Sequence, residues 1–241
     1  MESYIDYIKK EFNKIEIKLN DEQAEQFYKY YQLLVEKNKV MNLTAITEFK
    51  EVVQKHFVDS CYKSSIYIKE NKQKTLIDVG TGAGFPGLPL KIVYPELQVT
   101  LLDSLNKRIN FLNEVIDELK LKNVETVHYR AEDGARDITL REQFDFAVSR
   151  AVANLSTLSE YCLPYVKVDG YFIAYKSGTI EEEANQAKKA IALLGGTQEN
   201  VLTGMLPDSD ISRSIVMIKK KNHTSKKYPR KAGTPSKQPL M

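Results

Sequence analysis

Cysteine, histidine and long apolar segments are scarce in this chain of 241 residues. The 2 cysteines, Cys61 and Cys162, are too few for a disulfide framework and too isolated for a zinc site. The 3 histidines, His56, His128 and His223, lack metal-ligand spacing, so we expect no metal site. No apolar run approaches the roughly 18 residues that span a bilayer, and the polar start does not resemble a signal peptide. We therefore expect a cytoplasmic protein without membrane contact.

Apolar and aromatic residues are plentiful enough to build a core. Hydrophobic residues make up 42% of the chain, with 14 Tyr and 9 Phe, and their burial can offset the entropy cost of ordering the chain. The length is sufficient for one large α/β domain with an appendage, or for two small domains.

Charge is distributed unevenly along the chain. Residues 211–241 hold 9 of the 35 basic residues and none of the 32 acidic ones, which leaves residues 1–210 with a net charge of −6. A basic tail is typical of proteins that bind a polyanion, because each neutralised phosphate releases counterions. The tail residues that we predict to contact the phosphates of such a polyanion are Lys226, Lys227, Arg230 and Lys231. A merely solubilising or disordered terminus is the alternative.

The first 70 residues are predicted to be helical. Apolar residues recur every three or four positions over residues 5–19, which indicates one face of an amphipathic helix. Asn20 is predicted to cap a second helix that ends near Asn38, with Gln23 completing a capping box. Thr47 is predicted to cap a short helix that begins at Glu48, and a further helix is expected over residues 57–69.

Short apolar runs alternate with helical stretches from residue 74 onwards. The predicted strands are 75–79, 98–102, 124–128, 144–149, 171–175, 197–206 and 214–218, and the helices between them are 85–94, 104–119, 155–163 and 180–194. This alternation predicts a doubly wound α/β sheet with parallel crossovers and a late antiparallel strand. We expect a helical segment over 1–70, a catalytic domain over 71–220 and a basic tail over 221–241.

A glycine-rich turn over residues 78–87 joins the first predicted strand to the next helix. The window from Gly82 to Gly87 fits the dinucleotide fingerprint, with Asp103 as its acidic partner. The window Asp78-x-Gly80-x-Gly82-x-Gly84 instead resembles motif I of the class I (Rossmann-like) methyltransferases that use S-adenosylmethionine.

The carboxylate of Asp78 favours the methyltransferase interpretation. A carboxylate beside the glycines would repel a pyrophosphate. The sulfonium and ammonium groups of S-adenosylmethionine are cationic, so the same carboxylate can help to orient that molecule. We therefore predict that Asp78, Gly80 and Gly82 bind this cofactor, and a nicotinamide-dependent oxidoreductase remains the alternative.

Three further predicted strands end in polar residues at the same edge of the sheet. Asp103 follows the second strand, where its carboxylate can bind both ribose hydroxyls, although it could instead cap the helix before Asn106. Glu132 follows the third strand, where the pair Ala131 and Glu132 can flank an adenine. Arg150 follows the fourth strand. A structural ion pair at the sheet edge is the alternative role for Glu132 and Arg150.

The sequence also restricts the atom that accepts the methyl group. The fourth strand lacks the Asn-or-Asp-Pro-Pro-aromatic motif of exocyclic amine methylation, and neither cysteine lies at a predicted strand end as pyrimidine carbon methylation requires. A ring nitrogen needs neither device, because its lone pair attacks directly. Arg150 or Lys176 could then position a phosphate or a base carbonyl, and no residue is assigned to the chemical step itself. An oxygen of a small molecule remains the alternative acceptor.

Short segments along nearly the whole chain resemble one bacterial family. They are 41–47, 55–60, 78–87, 103–108, 130–132, 149–151, 228–231 and 233–235. In these segments the chain is similar to the ribosomal RNA small subunit methyltransferase G family, also called glucose-inhibited division protein B. The resemblance implies methyl transfer from S-adenosylmethionine to ring nitrogen 7 of a guanosine in 16S ribosomal RNA. The implied partner is that RNA or the small ribosomal subunit, and we expect a monomer.

The resemblance also implies which residues contact the cofactor. They are Gly80, Phe85, Ala131, Glu132 and Arg150, of which the residue patterns alone had not indicated Phe85. An aromatic ring directly after the glycines could stack on the cofactor or on the incoming base. We expect His56 to have a structural or RNA-contacting role, because nitrogen 7 of guanine carries no proton for a base to remove. Lys37 departs from the family pattern, in which a Trp often precedes the position of Asn38.

Overall fold

A seven-stranded mixed sheet forms the centre of the protein. The computed structural model describes residues 3–63, 68, 74–150 and 153–241. The strands, numbered β1 to β7, are Thr75–Val79, Gln98–Asp103, Val124–His128, Phe144–Ser149, Val166–Ser177, Gly196–Met205 and Ser212–Lys220. Their order across the sheet is β3-β2-β1-β4-β5-β7-β6, in which β1 to β5 are parallel and β7 is antiparallel to both neighbours. This order confirms the predicted doubly wound sheet with a late antiparallel strand.

Helices cover both faces of this sheet. In chain order, α1 to α10 are Tyr4–Asn13, Asp21–Met41, Phe49–Val52, Asp59–Cys61, Gly87–Val93, Asn106–Glu118, Ala131–Gly134, Leu155–Cys162, Glu181–Leu193 and Thr234–Lys237. Successive strand residues point to opposite faces, so Leu76 of β1 joins the apolar cluster that contains Phe27, whereas Ile77 joins the cluster that contains Ile191. Two apolar cores, one on each face, therefore hold the sheet in place.

The capping box at the start of α2 forms as predicted. The Asn20 side chain accepts a hydrogen bond from the Gln23 amide at 2.8 Å, and the Gln23 side chain accepts one from the Asn20 amide at 3.0 Å. Gln23 Nε2 also donates to the carbonyl of Ile92 at 2.8 Å, which joins α2 to the end of α5. Farther along α2, Tyr30 donates its hydroxyl proton to the carbonyl of Ala83 in the glycine-rich turn. The helical segment is thus packed directly against that turn.

Two boundaries in the helical segment were predicted wrongly. The first helix ends at Asn13 rather than Leu19, because Glu16 adopts a left-handed backbone with φ of 60° that an α-helix cannot contain. Glu48, not Thr47, is the N-cap of α3, and its side chain accepts a hydrogen bond from the Glu51 amide at 2.9 Å. The spacing of apolar residues does not indicate either of these local conformations.

The chain remains helical from α3 to α4, where a short helix from Glu48 and a further helix from residue 57 had been predicted. A π-helical turn, Val53–Val58, connects the two short helices. Of the helix predicted over 57–69, residues 64–67 and 69 lie outside the described residues. Strand β5 begins at Val166, five residues before the prediction, with an irregularity in its pairing with β4 between Phe144 and Phe146. Across the described ranges, the helices include none that is long and apolar enough to cross a membrane.

Candidate cofactor and acceptor site

The carboxyl ends of β1, β2 and β4 meet where the strand order reverses, which is where open α/β sheets bind ligands. Asp78, Asp103 and Ser149 are their last or nearly last residues, and Arg150 follows directly. The predicted strand-end residues are therefore brought together at one edge of the sheet.

Asp78 is fully buried beneath the glycine-rich turn. Its Oδ2 accepts hydrogen bonds from the Thr81 hydroxyl at 2.6 Å and from the Gly87 amide at 2.8 Å. Within the described part of the chain its Oδ1 has no hydrogen-bond partner. Burial raises the pKa of this carboxyl to about 7. A Cβ at Gly87 would lie only 2.9 Å from Asp78 Oδ2, so this close approach requires a glycine.

The glycines above Asp78 leave open space at the edge of the sheet. Gly80 and Gly82 adopt left-handed conformations, with φ of 73° and 64°, and a Cβ at either position would meet no atom within 4 Å. The Gly82 amide donates to Asp103 Oδ2 at 3.0 Å, which confirms that turn and second strand end are adjacent. Asp103 Oδ1 accepts from the Leu105 amide at 2.9 Å, and the N-cap of α6 is Leu105 rather than Asp103.

The pair Ala131 and Glu132 begins α7 and is held by two other parts of the chain. The Ala131 carbonyl accepts a hydrogen bond from the Tyr165 hydroxyl at 2.7 Å. Glu132 is buried, and its Oε1 accepts a hydrogen bond at 2.8 Å from the amide of Gly233 in the C-terminal segment. The tail therefore contacts one of the predicted cofactor residues directly.

Arg150 is held by three groups from the helical segment. Its guanidinium donates to Asp59 Oδ2 at 3.2 Å, to the Lys55 carbonyl at 3.3 Å and to His56 Nδ1 at 3.3 Å. Asp59 is buried, and its other carboxylate oxygen accepts a hydrogen bond from Arg213 Nε at 2.8 Å. One carboxylate thus holds two arginines side by side.

His56 completes this arrangement as a neutral group. Because Nδ1 accepts from Arg150, we assign the proton to Nε2, which lies 2.8 Å from Thr44 Oγ1. Burial and the positive charge of Arg150 lower the pKa of His56 to about 3. The ring stacks on Phe85 at 4.6 Å, and Phe85 also stacks on Tyr30 at 5.4 Å. Phe85, predicted to stack on the cofactor or the base, is thus buried among protein side chains.

A cavity of about 650 Å³ lies between the helical segment and the ends of β4, β5 and β7. Its cationic lining residues are Lys55, Arg150, Lys176 and Arg213. Lys176 donates to the Ala153 carbonyl at 2.7 Å and pairs with Glu183 at 2.7 Å. Lys176 therefore lines the cavity with its ammonium held by these two groups, and its positioning role stays a prediction. Ala151 and Val152, which follow Arg150, lie outside the described residues.

The basic tail divides into anchored and exposed residues. Lys226, Lys227 and Lys231 are exposed, as contact with phosphate requires. Arg230 was predicted to bind RNA as well, but its guanidinium donates to Glu160, at 2.7 Å from Nη2 to Oε2 and at 3.0 and 3.1 Å from Nε to Oε1 and Oε2. This bidentate pair occupies the arginine within the protein, so we correct its role from RNA contact to structural anchor.

Sequence patterns did not indicate two residues of this site, Asp59 and Arg213. Asp59 lay within a segment that carried the family resemblance, yet nothing in its spacing indicated that it pairs with Arg150. Arg213 was counted only as part of the basic tail. Both contacts join elements that are more than 90 residues apart in sequence, so no local pattern could have revealed them.

Comparison with known proteins identifies the family. The profile of the GidB family, described as rRNA small subunit methyltransferase G, matches residues 23–214. The chain belongs to this family. It is 57% identical over 224 residues to the ribosomal RNA small subunit methyltransferase G of Lachnoclostridium phytofermentans, with 92% of each chain covered. It is 52% identical over 237 residues to the protein of that name from Clostridium perfringens strain SM101, covering 98% of this chain and 99% of the relative.

Solved structures share the fold at low sequence identity. MtNAS superimposes with a TM-score of 0.52 at 12% identity, covering 90% of this chain and 71% of that one. TYW2 from M. jannaschii, crystallised with AdoMet, gives a TM-score of 0.50 at 15% identity, covering 66% and 77%. Membership of the methyltransferase G family confirms the predicted Rossmann-like class, the enzyme class and the dependence on S-adenosylmethionine.

The residues at the sheet edge fit this cofactor. The unpartnered oxygen of Asp78 offers a negative charge to a cationic ligand, and the open space above Gly80 and Gly82 offers room for one. Asp103 adds a carboxylate beside the same turn. These groups form the acidic half of the site, and the cavity beyond Arg150 forms its basic half.

Proposed function

We propose that this enzyme transfers a methyl group from S-adenosylmethionine to nitrogen 7 of a guanosine in 16S ribosomal RNA. The observation that carries the proposal is the cavity lined by four cationic and two acidic side chains, in which Asp59 holds Arg150 and Arg213 together. Arg150 also lies over the ring of Phe85 in the glycine-rich turn. Guanidinium groups suit the phosphates and the base carbonyl of a nucleotide. The names of the relatives support ribosomal RNA as the source of that nucleotide.

The chemistry of nitrogen 7 agrees with the groups around the cavity. The lone pair of nitrogen 7 forms the new nitrogen–carbon bond while the carbon–sulfur bond breaks, and the electron pair of that bond remains on sulfur. No proton moves, so no general base is needed. His56, with its pKa near 3, is neutral at physiological pH and positions Arg150. Cys61 and Cys162 are buried, and burial raises the pKa of both thiols, which makes a cysteine nucleophile unsuitable.

Cofactor binding is proposed for the residues of the acidic half and its neighbours. They are Asp78, Gly80, Gly82, Phe85, Asp103, Ala131, Glu132 and Arg150. When bound, the cofactor supplies an activated methyl group on a sulfonium. Asp78 would help to orient its cationic groups and Asp103 would bind its ribose hydroxyls. Phe85 would act through His56 and Arg150, whose guanidinium carbon lies 5.0 Å from the Phe85 ring centre.

The three segments of the chain have distinct roles in this proposal. The segment over 1–70 supplies Lys55, His56 and Asp59 to one wall of the acceptor cavity. The domain over 71–220 holds the proposed cofactor residues, and the tail over 221–241 presents lysines to RNA. The proposed partner is 16S ribosomal RNA or the small ribosomal subunit, on which a monomer acts in the cytoplasm.

The proposal is tested by locating the methylated nucleotide. The protein is incubated with labelled S-adenosylmethionine and either small ribosomal subunits or their extracted RNA. Borohydride and aniline treatment then cleaves RNA at 7-methylguanosine. We expect label and cleavage at one guanosine. Label on another atom of the RNA, or only on a small-molecule acceptor, would reject the proposal, and the second result would favour the small-molecule alternative.

Removing the three exposed tail lysines should weaken RNA binding and leave cofactor binding intact. We expect Lys226→Gln, Lys227→Gln and Lys231→Gln together to raise KM for RNA about tenfold. The slope of log Kd against the logarithm of the salt concentration should fall by roughly two. The measurement is a titration of RNA at several salt concentrations.

A triple variant at other exposed lysines, Lys120, Lys122 and Lys189, is the matched control because it removes the same total charge. Equal effects of the two triple variants would show that only net charge matters and that the tail has no special part in RNA binding.

A further inference from the structure

An ion pair buried beneath the C-terminal segment anchors it to the body of the protein. Glu160 of α8 has no exposed surface. Its Oε2 accepts a hydrogen bond from Arg230 Nη2 at 2.7 Å, and its Oε1 accepts one from the Arg230 backbone amide at 2.7 Å. Arg230 Nη2 also donates to the carbonyl of Gln238 at 2.7 Å, which joins the two ends of the C-terminal segment. A fully buried carboxylate is tolerated only with such partners, so the pair fixes the segment in place.

The anchored segment reaches the cofactor site three residues after Arg230. The Gly233 amide donates to Glu132 Oε1 at 2.8 Å, and Glu132 is only 6% exposed. On the far side, the Thr157 hydroxyl donates to the Pro235 carbonyl at 3.1 Å. Gly233 is therefore held between two contacts with α8, and it holds Glu132 in turn.

We propose that Arg230 and Glu160 are positioning residues for the cofactor site. They hold residues 228–238, which we call the strap, in place on the protein. The Gly233 amide of the strap then keeps the Glu132 carboxylate in one orientation. A side chain that is already ordered loses less conformational freedom when a ligand binds. The inference rests on the proposed role of Glu132 in cofactor binding.

The test removes both charges of the anchor together, because either charge alone would be left buried and unpaired. In the variant Glu160→Leu with Arg230→Met, we expect faster hydrogen exchange in the strap and about tenfold weaker binding of S-adenosylhomocysteine, measured by calorimetry without RNA or turnover. KM for S-adenosylmethionine should rise about as much, with kcat within twofold. Should this variant fail to fold, Arg230→Lys is used instead, because it keeps the positive charge but cannot form the bidentate contact with Glu160. It should bind S-adenosylhomocysteine about threefold more weakly.

Lys91→Met is the matched control for loss of a buried charge. The Lys91 ammonium donates to the carbonyls of Pro95 and Leu97 at 2.6 Å, at the opposite edge of the sheet. We expect this variant to be less stable, with the Kd for S-adenosylhomocysteine unchanged.

Each other outcome is decisive. If hydrogen exchange in the strap is faster but the Kd for S-adenosylhomocysteine is unchanged, Arg230 and Glu160 have no positioning role. If hydrogen exchange in the strap is unchanged, the ion pair does not anchor the strap. An equal loss of affinity in Lys91→Met would make the effect one of general stability and overturns the proposal too. Glu132→Ala should itself weaken S-adenosylhomocysteine binding. If it does not, the role of Glu132 and the strap proposal both fail, whereas methylation of ribosomal RNA is judged separately by the labelled RNA.

Discussion

Replacing Arg150 by lysine should lower kcat/KM for methyl transfer to RNA by about a hundredfold, which corresponds to roughly 2.7 kcal/mol of transition-state stabilisation. A lysine ammonium is a single point charge on a flexible stem, so it cannot contact Asp59, the Lys55 carbonyl and His56 at once as the guanidinium does. The acceptor would then be held less precisely, and small errors of placement are costly in a reaction that depends on orientation.

The control removes a cation from the opposite edge of the sheet. Lys167 pairs with Asp145 at 3.5 Å, and Lys167→Met should leave kcat/KM within about twofold of the parent value. Binding of S-adenosylhomocysteine to Arg150→Lys, measured by calorimetry, separates loss of cofactor from misplacement of the acceptor. A kcat/KM within threefold of the parent would contradict the central role that the geometry gives to Arg150.

The proximity of the residues at the strand ends could be predicted from the sequence, because it follows from local patterns. Asp78 and Gly80 belong to one strand and one turn, so their proximity follows from the chain itself. Asp103 ends β2 and Arg150 follows β4, the strands on either side of β1, and parallel strands place their carboxyl ends at a common edge. The capping box of Asn20 was predictable for the same reason, since cap and partner are three residues apart.

The basic half of the site depends on tertiary packing, which local patterns do not encode. Asp59 lies on a helical run that docks beside β4, and only that docking joins it to Arg150 and Arg213. The tail shows the same limit. Its basic composition predicted phosphate contact for all four selected residues, yet Arg230 pairs with Glu160, 70 residues away. Composition describes the charge of a segment and not which charges remain free.

Replacing Asp78 by asparagine should stabilise the ligand-free protein at pH 8 and weaken its binding of S-adenosylmethionine. Burial raises the pKa of Asp78 to about 7, from 3.8. The folded state therefore binds the proton more tightly than the unfolded state does. The contribution of Asp78 to stability is greatest below about pH 4, falls as the pH rises towards 7, and is lower by up to about 4 kcal/mol above that pH. Asparagine removes this pH-dependent cost but leaves a buried amide donor unpaired, at a cost of about 1 to 3 kcal/mol.

Urea unfolding at pH 5 and pH 8 measures the cost of ionising Asp78 and the cost of the unpaired amide. We expect Asp78→Asn to be about 1 to 3 kcal/mol more stable than the parent at pH 8, with this advantage lost at pH 5. Asp145→Asn is the matched control. Burial acts to raise the pKa of Asp145, but hydrogen bonds from Thr75 and the charge of Lys167 outweigh it and hold that pKa below its ordinary value. Asp145→Asn should therefore destabilise the protein at pH 8.

The same ionisation links cofactor affinity to pH. A cationic ligand favours the charged form of Asp78, so binding of S-adenosylmethionine should release a proton near neutral pH and tighten by up to about tenfold between pH 6 and pH 8. Calorimetry in buffers of different ionisation enthalpy detects that proton. Asp78→Asn should bind about tenfold more weakly at pH 8 and lose both the proton release and the pH dependence. Proton release that persists in Asp78→Asn would assign the titration to another group and leave Asp78 as a purely structural support of the turn.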